Sequence, residues 1–213
     1  MHYSTYINSL LVFILILIAH CYILSYAVGS MSYFSLSSMV IPVMGMFGLP
    51  ITSLFFISKI VFRIIRGLPI IAGTTFYIPT YCAAWSFASG HWFVWYGVPL
   101  LCIMLFIIHP TGNQAWMYSM YWLIPLIVAY SNNRHIYAQA LGSTFIAHAV
   151  GSVIWLYTVP MTTEQWIQLI PIVALERCTY AAGIVVMYHI MQWIMVSRLT
   201  KHTTSICPHF IKD

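Results

Sequence analysis

Charge is nearly missing from this sequence. Only 5% of its 213 residues are charged and just three are Asp or Glu, whereas an ordinary soluble domain carries about 25% charged residues. With 62% of the side chains apolar, so little polar surface excludes a globule that shields itself from water. Segments of about ten residues with alternating polarity, the mark of a transmembrane barrel, are also lacking. Enzyme signatures are missing too: there is no His-Glu-x-x-His zinc pair, no pair of intramembrane aspartates and no Gly-rich phosphate loop. Gly142-Ser143 and Gly151-Ser152 echo a serine nucleophile without an oriented base and acid. No metal or cofactor is expected. The five cysteines, Cys21, Cys82, Cys102, Cys178 and Cys207, have no metal or redox spacing. The basic residues behind the net charge of +5 are scattered beside apolar runs, which excludes a nucleic-acid surface.

What is present is a series of long apolar runs. They predict an all-α, polytopic transmembrane helical bundle, a single integral membrane domain over residues 1–213 with the lipid bilayer as its first partner. Residues 10–28 form a 19-residue apolar run with no cationic start and no small-residue cleavage site. That run is longer than a signal-peptide core, so it reads as a retained first span. Residues 36–57 are long enough to cross but contain Pro42, Gly45, Gly48 and Pro50. Further spans are expected over 92–108, 115–130 and 136–159, separated by turn-forming stretches at 109–113 and 131–134. Thr162 and Gln165 stand at capping-box spacing. They announce a last helix running to about Ser197, with an adjustment expected near Pro171.

Residues 68–88 decide the topology. Basic positions outside the spans form three groups: Lys59, Arg63 and Arg66; then Arg134; then Arg198, Lys201 and Lys212. If 68–88 dips in and returns as a broken or re-entrant element, six spans put all three groups on the cytoplasmic side, as the positive-inside rule favours. If it crosses, there are seven. Six is the expectation, with both termini cytoplasmic in a multi-pass protein of the cell (inner or plasma) membrane.

Within that frame the outer loops gather His109, Asn113, Trp116, Tyr121 and Trp122. These residues read either as a ligand mouth, with aromatic faces for stacking and polar groups to fix an edge, or as an interfacial aromatic belt. Glu176 and Arg177 are the strongest single signal, because charges inside an apolar helix are expensive and face a cavity or a partner. Successive helical residues point about 100° apart, so the two need not pair with each other. On 136–159, Ser143, Ala147 and Gly151 repeat every four residues as a flat helix-packing or partner line. Thr144, His148 and Ser152 make a polar line beside it, with His148 a candidate ligand contact.

Across residues 67–188, Gly67-Leu68-Pro69, His109-Pro110-Thr111-Gly112, Tyr121-Trp122-Leu123-Ile124-Pro125 and the stretch from Gly142 to Ser152 resemble the substrate-binding membrane subunits (S components) of energy-coupling-factor vitamin transporters. The resemblance implies six helices and a small hydrophilic vitamin or precursor held near the outer face. It also implies docking through small residues to a transmembrane partner, with ATPase subunits beyond it. The first helix lacks the Ala-x-x-x-Ala docking pattern of that family. The expected function is a membrane subunit for uptake of a small hydrophilic organic solute. An intramembrane enzyme acting on a lipid or peptide and a structural subunit of a membrane complex are the alternatives.

Overall fold

The computed structural model describes residues 36–67, 70–131 and 135–206. The run over residues 10–28 therefore lies outside the described residues. Helices form all the regular structure among those described, in the order α1 (Leu36–Met44), α2 (Leu49–Ile65), α3 (Ile70–Ala88), α4 (Val98–Ile108), α5 (Pro110–Gln114), α6 (Leu123–Tyr130), α7 (Ile136–Thr158) and α8 (Thr163–Ile206). Two helical stretches, Ile136–Thr158 and Thr163–Trp193, are long and apolar enough to cross a membrane; Phe93–Ile108 and Trp116–Tyr130 are shorter apolar helices.

The breakers act locally. Residues 36–57 split at a 3₁₀ turn, Gly45–Phe47, and restart after Gly48, whose φ of 93° is open to glycine at little cost. The fully buried Thr52 hydroxyl then donates to the Gly48 carbonyl at 3.1 Å. Ahead of Val98-Pro99 the chain widens into a π turn, Phe93–Gly97. Pro99 has no N–H to offer the preceding turn, so a wider turn there costs little. At the start of α8, the Gln165 amide donates to Thr162 Oγ1 at 3.3 Å and the Thr162 amide donates to Gln165 Oε1 at 2.9 Å, which is the capping box the spacing predicts. Pro171, where an adjustment is expected, does not end the helix. Helix α8 continues through it for 44 residues, held on both sides of the proline by Trp166, Ile170 and Val173 in the core.

Contacts fix the helix directions. Helix α3 runs antiparallel to α7, since the Ser143 hydroxyl donates to the Ala83 carbonyl at 3.1 Å while Pro79 lies beside Gly151. Helix α2 is antiparallel to α3, with Ser53 and Tyr81 oxygens 2.9 Å apart and the Phe56 and Tyr77 rings in edge contact. Helix α4 runs parallel to α7, as Trp95 abuts Gly142 and the Tyr157 hydroxyl donates to the Leu105 carbonyl. The segment Trp116–Trp122, α6 and α8 run the other way, with Tyr118 beside Ser152, Tyr121 stacked on Phe145, and the Tyr121 hydroxyl bonded to the Ile170 carbonyl.

Two consequences follow. The expected dip within 68–88 does not form, because Ile70–Ala88 is one continuous 19-residue helix containing Pro79 and packed on α1, α2 and α7. The end of α2, with Arg63 and Arg66, therefore lies at the same end as His109–Gln114 and Pro160. Ser131 and His135 lie at the opposite end. The sequence expectation had placed those basic groups together.

The core divides in two. One cluster joins Val40, Val43, Met44, Phe55 and Phe56 to Ala84, Ala140, Ala181 and Ile184. The other joins Phe106, Tyr118, Trp122, Phe145, Ala149, Trp166 and Val173. Close packing between helices is carried by Gly142, where an added Cβ would sit 2.5 Å from the Trp95 ring; at Gly151 it would meet only Pro79, at 3.5 Å. Trp95 is itself buried and its indole N–H donates to the Ser89 carbonyl, so it yields little. Gly142→Ala is expected to cost about 1 to 3 kcal/mol by overpacking. Gly151→Ala should be within about 1 kcal/mol of the parent, aided by helix propensity. Paired melting curves in one detergent check this, and equal losses at both positions would contradict it.

Candidate functional site

Tyr118 is the hub of the second cluster. It sits in Trp116–Trp122, a 3₁₀ stretch of seven residues, longer than such helices usually run. The tight winding turns Tyr118, Ser119 and Trp122 inward together, and the Ser119 hydroxyl bonds back to the Trp116 carbonyl at 2.7 Å. Around Tyr118 lie Phe106 stacked at 5.7 Å and Trp166 edge-on at 4.9 Å, with Trp122 edge-on at 6.1 Å. Phe106 and Trp122 are fully buried, and Trp166 and Tyr118 nearly so.

A polar chain enters this aromatic shell from α7. Tyr118 Oη and Ser152 Oγ are 3.3 Å apart, and Ser152 Oγ lies 3.5 Å from His148 Nε2. Each hydroxyl can donate or accept, so the chain can reorient to suit a bound group. The His148 ring is tilted against Tyr118 at 5.4 Å and meets Trp122 and Phe145 edge-on. From α8 comes a charged pair, with an Arg177 terminal nitrogen (Nη2) donating to Glu176 Oε1 at 2.7 Å. The two adjacent side chains thus do pair, which the 100° offset alone left open. The Arg177 guanidinium also covers the Tyr180 ring, 4.7 Å from its centre.

Arg177 belongs to the buried stripe of α8. Trp166, Val173, Ala181 and Ile184 recur along that helix at turn spacing, and Arg177 falls in line between Val173 of one core cluster and Ala181 of the other. The Tyr118-Ser152-His148 chain thus lies within the second cluster and the Glu176–Arg177 pair stands on α8 between Val173 and Ala181, and these five residues are the polar layer of the bundle.

The residues expected at a ligand mouth are divided by the fold. Trp122, His148, Glu176 and Arg177 belong to the layer or its shell, and Tyr121 borders it through Phe145. His109, Asn113 and Trp116 lie away from it: His109 Nδ1 caps α5 by accepting from the Thr111 amide at 3.3 Å, and Asn113 donates to the Ile107 carbonyl at 3.2 Å. Trp116 is half exposed. On the flat line of α7, Ser143 binds α3 through its hydroxyl, Gly151 faces Pro79 and Ala147 is half-buried. Phe106 is central yet carries no sequence signal, since it is one apolar residue in an apolar run.

No protein-family model matches the chain, and neither a curated protein nor a solved structure is significantly similar to it.

Proposed function

We propose that the chain is a multi-pass membrane subunit that binds a small hydrophilic organic solute for uptake, near the end of the bundle that carries His109–Gln114 and the Pro160 connection. The observation that carries this reading is the polar layer. A hydroxyl-imidazole chain and an Arg–Glu pair are placed among apolar helices, where each charged or polar group is costly unless it serves a partner. A bilayer around the bundle is supported by its outward faces. Leu54, Ile65, Leu100, Met104, Ile127, Leu175, Val186 and Trp193 are exposed, the last three of them along α8. Continuous passage of α3 supports the seven-crossing alternative over six, with residues 10–28 as the first crossing. On that count the residues 131–135 connection and the end of α8 share the cytoplasmic side, and the solute site opens outward, as in the vitamin-transporter subunits the sequence resembles.

Native mass spectrometry from mild detergent tests solute binding and partners together. A retained small polar molecule is the expected result, and lipid alone would refute the reading. Single cysteines at Gly67 and Ser131, in a cysteine-free background, should label from opposite sides of the membrane. Labelling from one side would restore the six-span arrangement.

A further inference from the structure

Helix α2 presents an apolar stripe that ends at a cation. Leu54, Ile57, Val61, Ile64 and Ile65 recur at turn spacing and are all exposed. From Leu54 to Ile65 the stripe rises about 16 Å, close to the roughly 15 Å of hydrocarbon in one leaflet of a bilayer. At that end α2 stops. Gly67, at a φ of 63°, lets the Arg66 and Gly67 amides turn back to the Phe62 and Ile64 carbonyls at 3.1 and 3.0 Å. The exposed Arg66 guanidinium then lies beside the stripe, 4.7 Å from the centre of the Phe62 ring. Stacking uses the flat face of a guanidinium and leaves the N–H groups of its edge for another partner. No carboxylate among the described residues meets them, since Glu164 accepts from Gln168 and Glu176 from Arg177. Arg63, in the last turn of α2, adds a second cation at this end.

We propose that α2 carries a site for one anionic phospholipid, with an acyl chain along the Leu54–Ile65 stripe and the phosphate held by Arg66. Apolar stripe and cation stand in the order and at the separation of those two parts of a lipid, and guanidinium donors fit phosphate oxygens in pairs. A phosphatidylglycerol-type headgroup suits the site better than a choline one, which would bring a quaternary cation toward Arg63 and Arg66. These basic residues lie at the end opposite Ser131 and His135. On the seven-crossing count that end faces away from the cytoplasm, where the positive-inside rule disfavours them unless something local holds them. A cation at a helix C-terminus also answers the helix dipole, but that role is indifferent to which lipid is present. The site rests on the bilayer around the bundle and not on the solute.

The test is native mass spectrometry of the full chain released from nanodiscs of equal phosphatidylcholine and phosphatidylglycerol. The parent should retain phosphatidylglycerol over phosphatidylcholine about fivefold, and Arg66→Gln should bring the two to equality. Melting in vesicles of pure phosphatidylcholine and of the equal mixture should differ for the parent and coincide for the variant. Raised salt screens the contact without changing the chain, so it should shrink the parent's preference as well. Equal retention by the parent, a preference that survives Arg66→Gln or high salt, or a dimer of the chain that retains no phospholipid each overturns the inference. Crosslinking of Val61→Cys to a cysteine placed within residues 10–28 also overturns it, by showing the stripe covered by the chain itself. Loss of the lipid preference with a polar solute still retained sinks this site alone, whereas phosphatidylglycerol retained without solute removes only the solute reading.

Discussion

Glu176→Gln should lower the stability of the bundle by about 3 kcal/mol, because it strips Arg177 of its carboxylate while the guanidinium stays only 15% exposed. The Tyr180 ring beneath Arg177 returns only part of that loss. Arg177→Gln leaves Glu176, 25% exposed, without its cation and should cost somewhat less, since the carboxylate retains more water. The Glu176→Gln/Arg177→Gln double variant removes both charges at once. It should recover much of the folded yield, with a coupling between the two sites of about 1 to 3 kcal/mol in a double-mutant cycle. Under the proposed function the recovered double variant still fails to retain solute. A double variant that folds well and binds as the parent does would reduce the pair to a packing element. Additive losses would show that the 2.7 Å contact contributes nothing.

Gly112→Ala should be the most damaging single methyl addition in the described chain, at about 3 kcal/mol and a matching loss of folded yield. The added Cβ would overlap the backbone carbonyl oxygen of Phe106 and press on Leu156. A carbonyl in a helix cannot rotate away as a side chain can. Phe106 is also fully buried among Tyr118, Trp122 and Trp166, so displacing it would disturb the aromatic hub directly. Melting in detergent, with tryptophan emission as a second probe of the hub, measures both effects. A Gly112→Ala chain that melts within about 1 kcal/mol of the parent would show that α5 can slide off α4 at little cost. Gly90 makes a suitable control, since an added Cβ there meets nothing within 4 Å.

These two expectations differ in how visible they were beforehand. The weight of Glu176-Arg177 follows from composition: two charges in adjacent positions of a chain with 5% charged residues mark themselves. Gly112 sits in a stretch that reads as a turn, and the turn does form, as the short helix α5. The reason for glycine there is not a turn conformation but the carbonyl of another helix, which no spacing rule reveals. The same holds on α7. The four-residue repeat of Ser143, Ala147 and Gly151 was legible, yet the position under most steric pressure is Gly142, one residue off that line. Small residues at helical spacing show that close approach is possible; the neighbouring helix decides where it happens.

Sequence alone determined the all-helical class. Scarce charge and unbroken apolar runs fix helices as the element. Local chemistry fixed the capping box at Thr162 and Gln165, the break at Gly48 and the buried charge on α8, because each depends on residues within one or two turns. Tertiary structure alone decided the direction of Ile70–Ala88. Gly73 and Pro79 weaken a helix locally, and contacts with three neighbouring helices outweigh that weakness. It likewise decided which aromatics meet. Phe106, Tyr118, Trp122 and Trp166 come from three separate elements, and their encounter with His148, Ser152 and Arg177 depends on helix register across the bundle. Register is set by long-range packing, which one-dimensional periodicity does not encode.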